Sequence, residues 1–162
     1  VNLLALVRVD GVPGPKGSLS AFCVRCAKKH LPQSVVVKEQ SEVGAKFRKV
    51  VARKIKDLGQ GLVTDSEHPY PGDVETRLIF FIHRQKRVRA GVELDEWVPS
   101  HAGPRPTFRN SGDVEKHARN VHDALMDAGV IEDDDQVWRS VIEKRWADVA
   151  NPPGCVVEVR AA

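Results

Sequence analysis

Six carboxylates stand in two groups at either end of one apolar stripe: Asp113 and Glu115 at its start, and Glu132, Asp133, Asp134 and Asp135 in an unbroken row after it. Four adjacent carboxylates repel one another, so solvent, bound cations or nearby Lys and Arg must offset the cost. A hard cation such as Mg²⁺ takes oxygen ligands, and two or three carboxylates suffice when phosphate and water complete its shell. That donor set suits a metal-dependent nuclease, in which metal activates a water and stabilises the leaving oxygen of an in-line displacement. A plainer reading stands beside it. Asp at a helix start is commonly a cap. Glu115, Arg119 and Asp123, at i, i+4 and i+8, would make a ladder of weak surface ion pairs. An acidic run in a loop is ordinarily just solvated. A calcium loop of the alternating D-x-D-x-D-G type is excluded, because these acids are consecutive and no glycine follows.

The stripe between the acids is a strong helix signal. Val114, Ala118, Val121, Leu125 and Ala128 follow spacings of 4, 3, 4 and 3, and Gly129 ends the run. The segment after the acids, 136–146, reads as a strand, followed by the turn NPPG and a last strand, CVVEVRA. Upstream, 74–83 carries five consecutive apolar residues and is the best central strand. Residues 2–9 and 34–38 read as further strands. Ser41 can cap a helix whose apolar positions Val43, Phe47, Val50, Val51 and Leu58 follow a helical period, ending at Gly59. Two stretches, about 10–33 and 85–112, read as long flexible loops rich in Pro and Gly. The order predicts one α+β domain over residues 1–162: a small mixed sheet with two main helices on one face.

At 162 residues the chain can bury roughly two-thirds of its unfolded surface. Its net charge of +3 permits an anionic partner, and the placement of the basic residues favours one. Lys46, Arg48, Lys49, Arg53, Lys54 and Lys56 fall in one helical segment; His83, Arg84, Lys86, Arg87 and Arg89 fall in another. The second run is expected to track a DNA backbone, with a solvated charged loop as the alternative. No stretch is apolar enough for a membrane span, and the start does not resemble a signal peptide. The expected location is cytoplasmic, with reduced cysteines. Val1 in place of Met reads as a trimmed start or a non-standard start codon.

The segment GDVEKHARNVHDALMDAGVIEDDDQV, residues 112–137, resembles the core signature of the RusA-type Holliday-junction resolvases. There Asp-x-Asp-Asn opens a helix, a basic residue and Asp-Ala-Leu follow, and a Gly, paired acids and Gln-Val complete the pattern without a gap. Lys144 stands where the family has a lysine on the next strand. Outside this block the match lies in the order of elements. The resemblance implies a bacterial or phage-encoded homodimer with two-fold symmetry. It would use Mg²⁺, with Mn²⁺ able to substitute, to cut four-way DNA junctions by paired nicks in recombination and repair. It implies Asp113, Glu115 and Asp134 as the three catalytic carboxylates and metal ligands, with Asp133 beside them. Arg119 falls at a functional lysine position and Asp123 at the Asp of Asp-Ala-Leu. Arg119 and Lys144 are expected near the acidic row, gripping the scissile phosphate, and Lys116 is expected to touch DNA. Glu132 and Asp135 are read as solvated neighbours. Three positions depart from the pattern: Glu115 for Asp, Lys116 for Asn and Arg119 for Lys. Glu is one methylene longer, and Arg presents a planar fork in place of a point charge.

Weaker signals remain. Cys23, Cys26 and His30 offer three zinc-type ligands, and Cys155 a fourth if the fold brings it near. A single CxxC without a second pair favours incidental reduced cysteines. His83 and His122 read as surface or packing residues. Trp138, Ile142 and Trp146 share one strand face and are expected in the core or a dimer contact. Two rivals to the endonuclease stand: a branched-DNA-binding protein weakened in catalysis by the Glu115 and Lys116 departures, and a zinc-stabilised interaction module.

Overall fold

The structure, a computed structural model, describes residues 3–13, 19–24, 34–39, 42–59, 69–107 and 112–162. β-branched and aromatic runs make the strands of the main sheet: β1 (Leu3–Asp10), β4 (Val74–Ile82), β7 (Val137–Trp146) and β8 (Gly154–Ala161). Their order is β1-β8-β4-β7. β8 lies antiparallel to both neighbours, whereas β4 and β7 are parallel. A parallel pair needs a crossover of a dozen or more residues, and the segment containing α2 (Val114–Ala128) supplies it. The other helix, α1 (Glu42–Gly59), packs against α2 and β1. Ser41, expected to cap α1, lies outside the described residues.

Period-two alternation sends Val74, Leu78 and Phe80 of β4 and Cys155, Val157 and Val159 of β8 into the core. Phe47, Val51 and Ile55 of α1, with Val121, Ala124 and Leu125 of α2, cover them from one side. The opposite face carries charged residues joined in pairs, Arg139 with Glu75 at 3.5 Å and Arg77 with Glu143 at 3.6 Å. Both helices therefore sit on one face of the sheet, as the order of elements predicts. On the helix-covered face Thr76 bridges β7 and α2: its Oγ1 lies 2.7 Å from Ser140 Oγ and 3.3 Å from His122 Nε2. His122 is thus a packing residue, and burial lowers its pKa against the opposing charge of Asp123. His83 is exposed.

The two expected loops hold strands. β2 (Leu19–Val24), inside the first of them, pairs antiparallel with β3 (Ser34–Glu39), the strand expected at 34–38. Within the second, β5 (Lys86–Arg89) and β6 (Val92–Trp97) form a hairpin, followed by a single 3-10 turn at Pro99–His101. The hairpin hides from a periodicity search because neither of its faces is buried; Val88 and Val92 are both exposed. Its two-residue turn, Ala90–Gly91, has φ of 52° and 81°, the paired left-handed backbone that fits strand twist. At the hairpin's root Arg84 stacks over Trp97 at 4.3 Å and Trp146 at 5.3 Å, and it donates to the His101 carbonyl at 2.8 Å. Trp146 Nε1 donates to the Gly103 carbonyl at 2.7 Å. Of the three residues expected to share a face, Ile142 and Trp146 pack against the core, while Trp138, at the register shift opening β7, is exposed.

Gly154 lies where β8 passes close to the backbone of β1. A Cβ there would lie 2.2 Å from the Val9 carbonyl oxygen. We expect Gly154→Ala to destabilise the protein by about 1–3 kcal/mol, the usual cost of overpacking. Urea unfolding measures it, and an unchanged midpoint would contradict this packing.

Candidate active site

Asp113 is the N-cap of α2, with extended backbone, and its Oδ1 accepts from the Glu115 N–H at 3.0 Å. The cap satisfies a helix-start N–H and places a carboxylate at the positive end of the helix dipole. Lys144 approaches from β7, where its Nζ donates to the Gly112 carbonyl at 2.9 Å. Burial lowers the Lys144 pKa from the ordinary lysine range, and the charge of Asp113 opposes that shift. Asp113, Glu115 and Lys144 therefore share the N-terminal end of α2. Lys116 and Arg119 stand exposed further along it.

The acidic row is built by a different device. Gly129 stops α2 in the left-handed conformation, φ 75°, and its N–H bonds back into the last turn. Tyr70 then pairs with the next residues, its N–H donating to the Val130 carbonyl at 3.0 Å. Asp133 caps a 3-10 turn, Asp134–Gln136, and accepts from the Asp135 N–H at 3.1 Å. Gln136 closes the capping box: its Oε1 accepts from the N–H groups of Glu132 at 2.7 Å and Asp133 at 3.1 Å. Its Nε2 donates to the Tyr70 and Gly72 carbonyls at 2.8 and 2.9 Å, stapling the row to the segment before β4.

Asp133, Asp134 and Asp135 are exposed, with one carboxylate oxygen of each within 4.8 Å of the others. The Asp135 N–H, together with a hydrogen bond from Asp134, holds Asp133 below the usual carboxylate range. The same hydrogen bond, burial and the charges of Asp133, Asp135 and Asp123 raise Asp134. Three converging hard oxygens, with neighbouring charges that raise Asp134, suit a divalent cation, which would offset that repulsion.

The structure does not bring the two acidic groups together within one chain. Asp113 and Asp123 are ten residues apart on α2, about 15 Å at 1.5 Å per residue. Asp134 lies on the Asp123 side, within reach of its charge. Lys144, expected beside the row, is instead at the other end: β7 leaves the row at Val137 and carries Lys144 roughly 20 Å along the strand. Nor, among the described residues, does any ion pair join Glu115, Arg119 and Asp123 in a ladder. Asp123 is taken by α1, where Arg48 reaches it at 3.3 Å and grips Asp127 at 2.6 and 2.8 Å. Those bonds hold Asp127 below the usual carboxylate range.

The basic run 83–89 is no free loop. Arg84 is committed at the hairpin root. Lys86 pairs with Asp95 at 3.2 Å and Arg87 with Glu96 at 3.0 Å, while Arg89 is exposed near the tip. Of the zinc candidates, Cys26 and His30 lie outside the described residues, and Cys23 is described only as part of the β2 backbone. Cys155 does not serve as a fourth ligand, because it points into the core and burial pushes its thiol up to about 12. The sequence reading passes over Tyr70, and it misses the partners that Gln136 and Arg48 hold. The spacing Asp133-x-x-Gln136 is a capping-box signature and could have revealed the role of Gln136.

Hard oxygen donors and one basic helix, α1, on a small α+β fold suit an enzyme that cleaves phosphodiesters in a polyanion. The chain belongs to the RusA family, whose model, Endodeoxyribonuclease RusA, matches residues 33–160. It is accordingly an endodeoxyribonuclease that resolves Holliday junctions, and resolvases of this family depend on a divalent metal. The curated proteins contain no match to the chain. Among the described residues no helix is long and apolar enough to cross a membrane.

Proposed function

We propose that the enzyme works as a two-fold homodimer with Mg²⁺ in the bacterial or phage-infected cytoplasm, nicking paired strands of a four-way junction during recombination and repair. One observation carries this reading: the carboxylates matched to a single family site stand at opposite ends of α2. Metal–oxygen distances near 2 Å cannot bridge about 15 Å. A two-fold axis across α2 sets two copies antiparallel, so the start of one faces the end of the other. Each site would then combine Asp113 and Glu115 of one protomer with Asp133 and Asp134 of its partner.

The donor set fits Mg²⁺, which when bound supplies Lewis acidity and lowers the pKa of an attacking water. The chain's own residues do the rest. Asp113 is fixed by its cap and the acidic row by Gln136, so neither carboxylate group needs to reorganise as charge develops. Lys144, at the start of α2, offsets the carboxylates and faces the phosphate. Arg119, on α2 itself, adds a second cation. Two such sites deliver the two nicks that resolution requires.

Glu115 tests the departure from the family pattern. Glu115→Asp should retain activity or raise it, whereas Glu115→Gln should lose about 100-fold or more, since even an outer-shell partner costs 10–100-fold. Single-turnover cleavage of a four-way junction reads this, and full activity in the Gln variant would remove Glu115 from the site. The function itself is tested on a four-way junction, a fork and a linear duplex in parallel, with Mg²⁺ and with chelator. Cleavage of the junction only with metal is expected. Equal cutting of linear duplex would contradict it.

A further inference from the structure

We propose that the outward face of α1 is the principal DNA-backbone contact, with one duplex arm of the substrate lying along Lys46, Lys49, Arg53 and Lys56. This rests on the endonuclease reading above and names the surface that holds the substrate. The four cations are spaced 3, 4 and 3 along the helix, all exposed, and opposite the buried Phe47, Val51 and Ile55. They span about 15 Å, the axial length over which one strand of a duplex presents about four phosphates.

Charge on the hairpin stem and on the open sheet face is neutralised, while Arg89, Arg105, Lys116 and Arg119 stay exposed with no ion pair among the described residues. The hairpin cations Lys86 and Arg87 are held by Asp95 and Glu96, and the open sheet face pairs Arg77, Arg139, Arg145 and Arg160 with glutamates. On α1 the only acids are Glu42 and Asp57, one at each end. Among the described residues no ion pair takes up Lys46, Lys49, Arg53 or Lys56. Only Arg48 is turned aside, to Asp123 and Asp127.

The stripe also points the right way. Asn120 Nδ2 donates to the Gly44 carbonyl at 2.9 Å, Arg48 reaches Asp123 and Asp127, and the charge of Lys56 bears on Asp127. The two helices thus run side by side in the same direction, and α1 leads toward the end of α2 that opens into Asp133–Asp135. A backbone held along α1 would be delivered to the acidic row.

The test is binding of four-way junction and linear duplex in chelator, between 50 and 200 mM salt. Proteins compared are the wild type, the variant Lys46→Gln/Lys49→Gln/Arg53→Gln/Lys56→Gln, and the hairpin variant Lys86→Gln/Arg87→Gln. Each lost phosphate contact lowers the log–log salt slope by about 0.9. For each α1 face that holds an arm, the α1 variant should lose about 3–4 in slope, with at least about tenfold lower affinity for both DNAs, and the hairpin variant less than about 1. If the quadruple variant does not fold, Lys49→Gln/Arg53→Gln should lose about 2 for each such face. An unchanged slope in an enzyme whose wild type cuts junctions would overturn the inference and leave the resolvase reading standing. A wild type that neither binds nor cuts branched DNA would overturn both. Equal, α1-dependent binding to phosphatidylserine vesicles would reassign the face to a lipid surface.

Discussion

Replacing Asp134 with Asn is expected to lower junction cleavage by about 10³-fold while leaving junction binding unchanged or tighter. Several kcal/mol of transition-state stabilisation come from a correctly held metal, and each 1.4 kcal/mol is about tenfold in rate. Asn keeps the shape of the side chain and removes the charge. The backbone of the row should hold, because the caps of its 3-10 turn are Asp133 and Gln136 rather than Asp134. Binding should not suffer, since one negative charge facing phosphate is lost. Gel-shift and single-turnover cleavage on the same preparation separate the two effects. Wild-type cleavage by this variant would remove Asp134 from the site.

Mixing two dead variants should restore activity. Asp113→Asn and Asp134→Asn each disable both sites of a homodimer. If each site draws Asp113 from one protomer and Asp134 from the other, a mixed dimer carries both lesions in one site and an intact second site. Equimolar co-folded variants should regain about a quarter of the wild-type nicking rate: half the dimers are mixed, and each keeps one of two sites. Paired cuts should stay rare. Sites built within one chain predict no recovery, because each chain of the mixed dimer would carry a lesion in its own site. The mixture therefore tests directly the separation of Asp113 from Asp134 along α2.

Much of this arrangement is legible in the order and spacing of the residues. Ala118, Val121 and Leu125 fall on the buried stripe that their spacing predicts, and Gly129 takes the left-handed backbone that ends α2. The run in β4 lies in the sheet interior, between β8 and β7. Even the split of the carboxylates is implicit, because a helix of 15 residues between them is about 22 Å long. Tertiary partners are what pattern alone cannot supply. Arg48 reads as one cation of a basic face, yet it reaches 75 residues along the chain to Asp123. Lys144 reads as a neighbour of the acids through the family resemblance, but a strand is extended and carries it away from the row. The hairpin escapes because both its faces meet solvent, which removes the alternation on which strand reading depends. Its turn also uses Ala90 in a conformation that Ala rarely adopts.

The central claim, paired nicking by a metal-dependent two-site dimer, is tested most directly with a supercoiled plasmid that extrudes a cruciform. Two cuts made within one binding event linearise the circle, whereas a single cut releases the supercoil and reabsorbs the cruciform, leaving a nicked circle. With Mg²⁺ the enzyme is expected to give linear product as the main species from the earliest time points, and none with chelator. Nicked circles accumulating alone, or linear product formed without metal, would contradict the account.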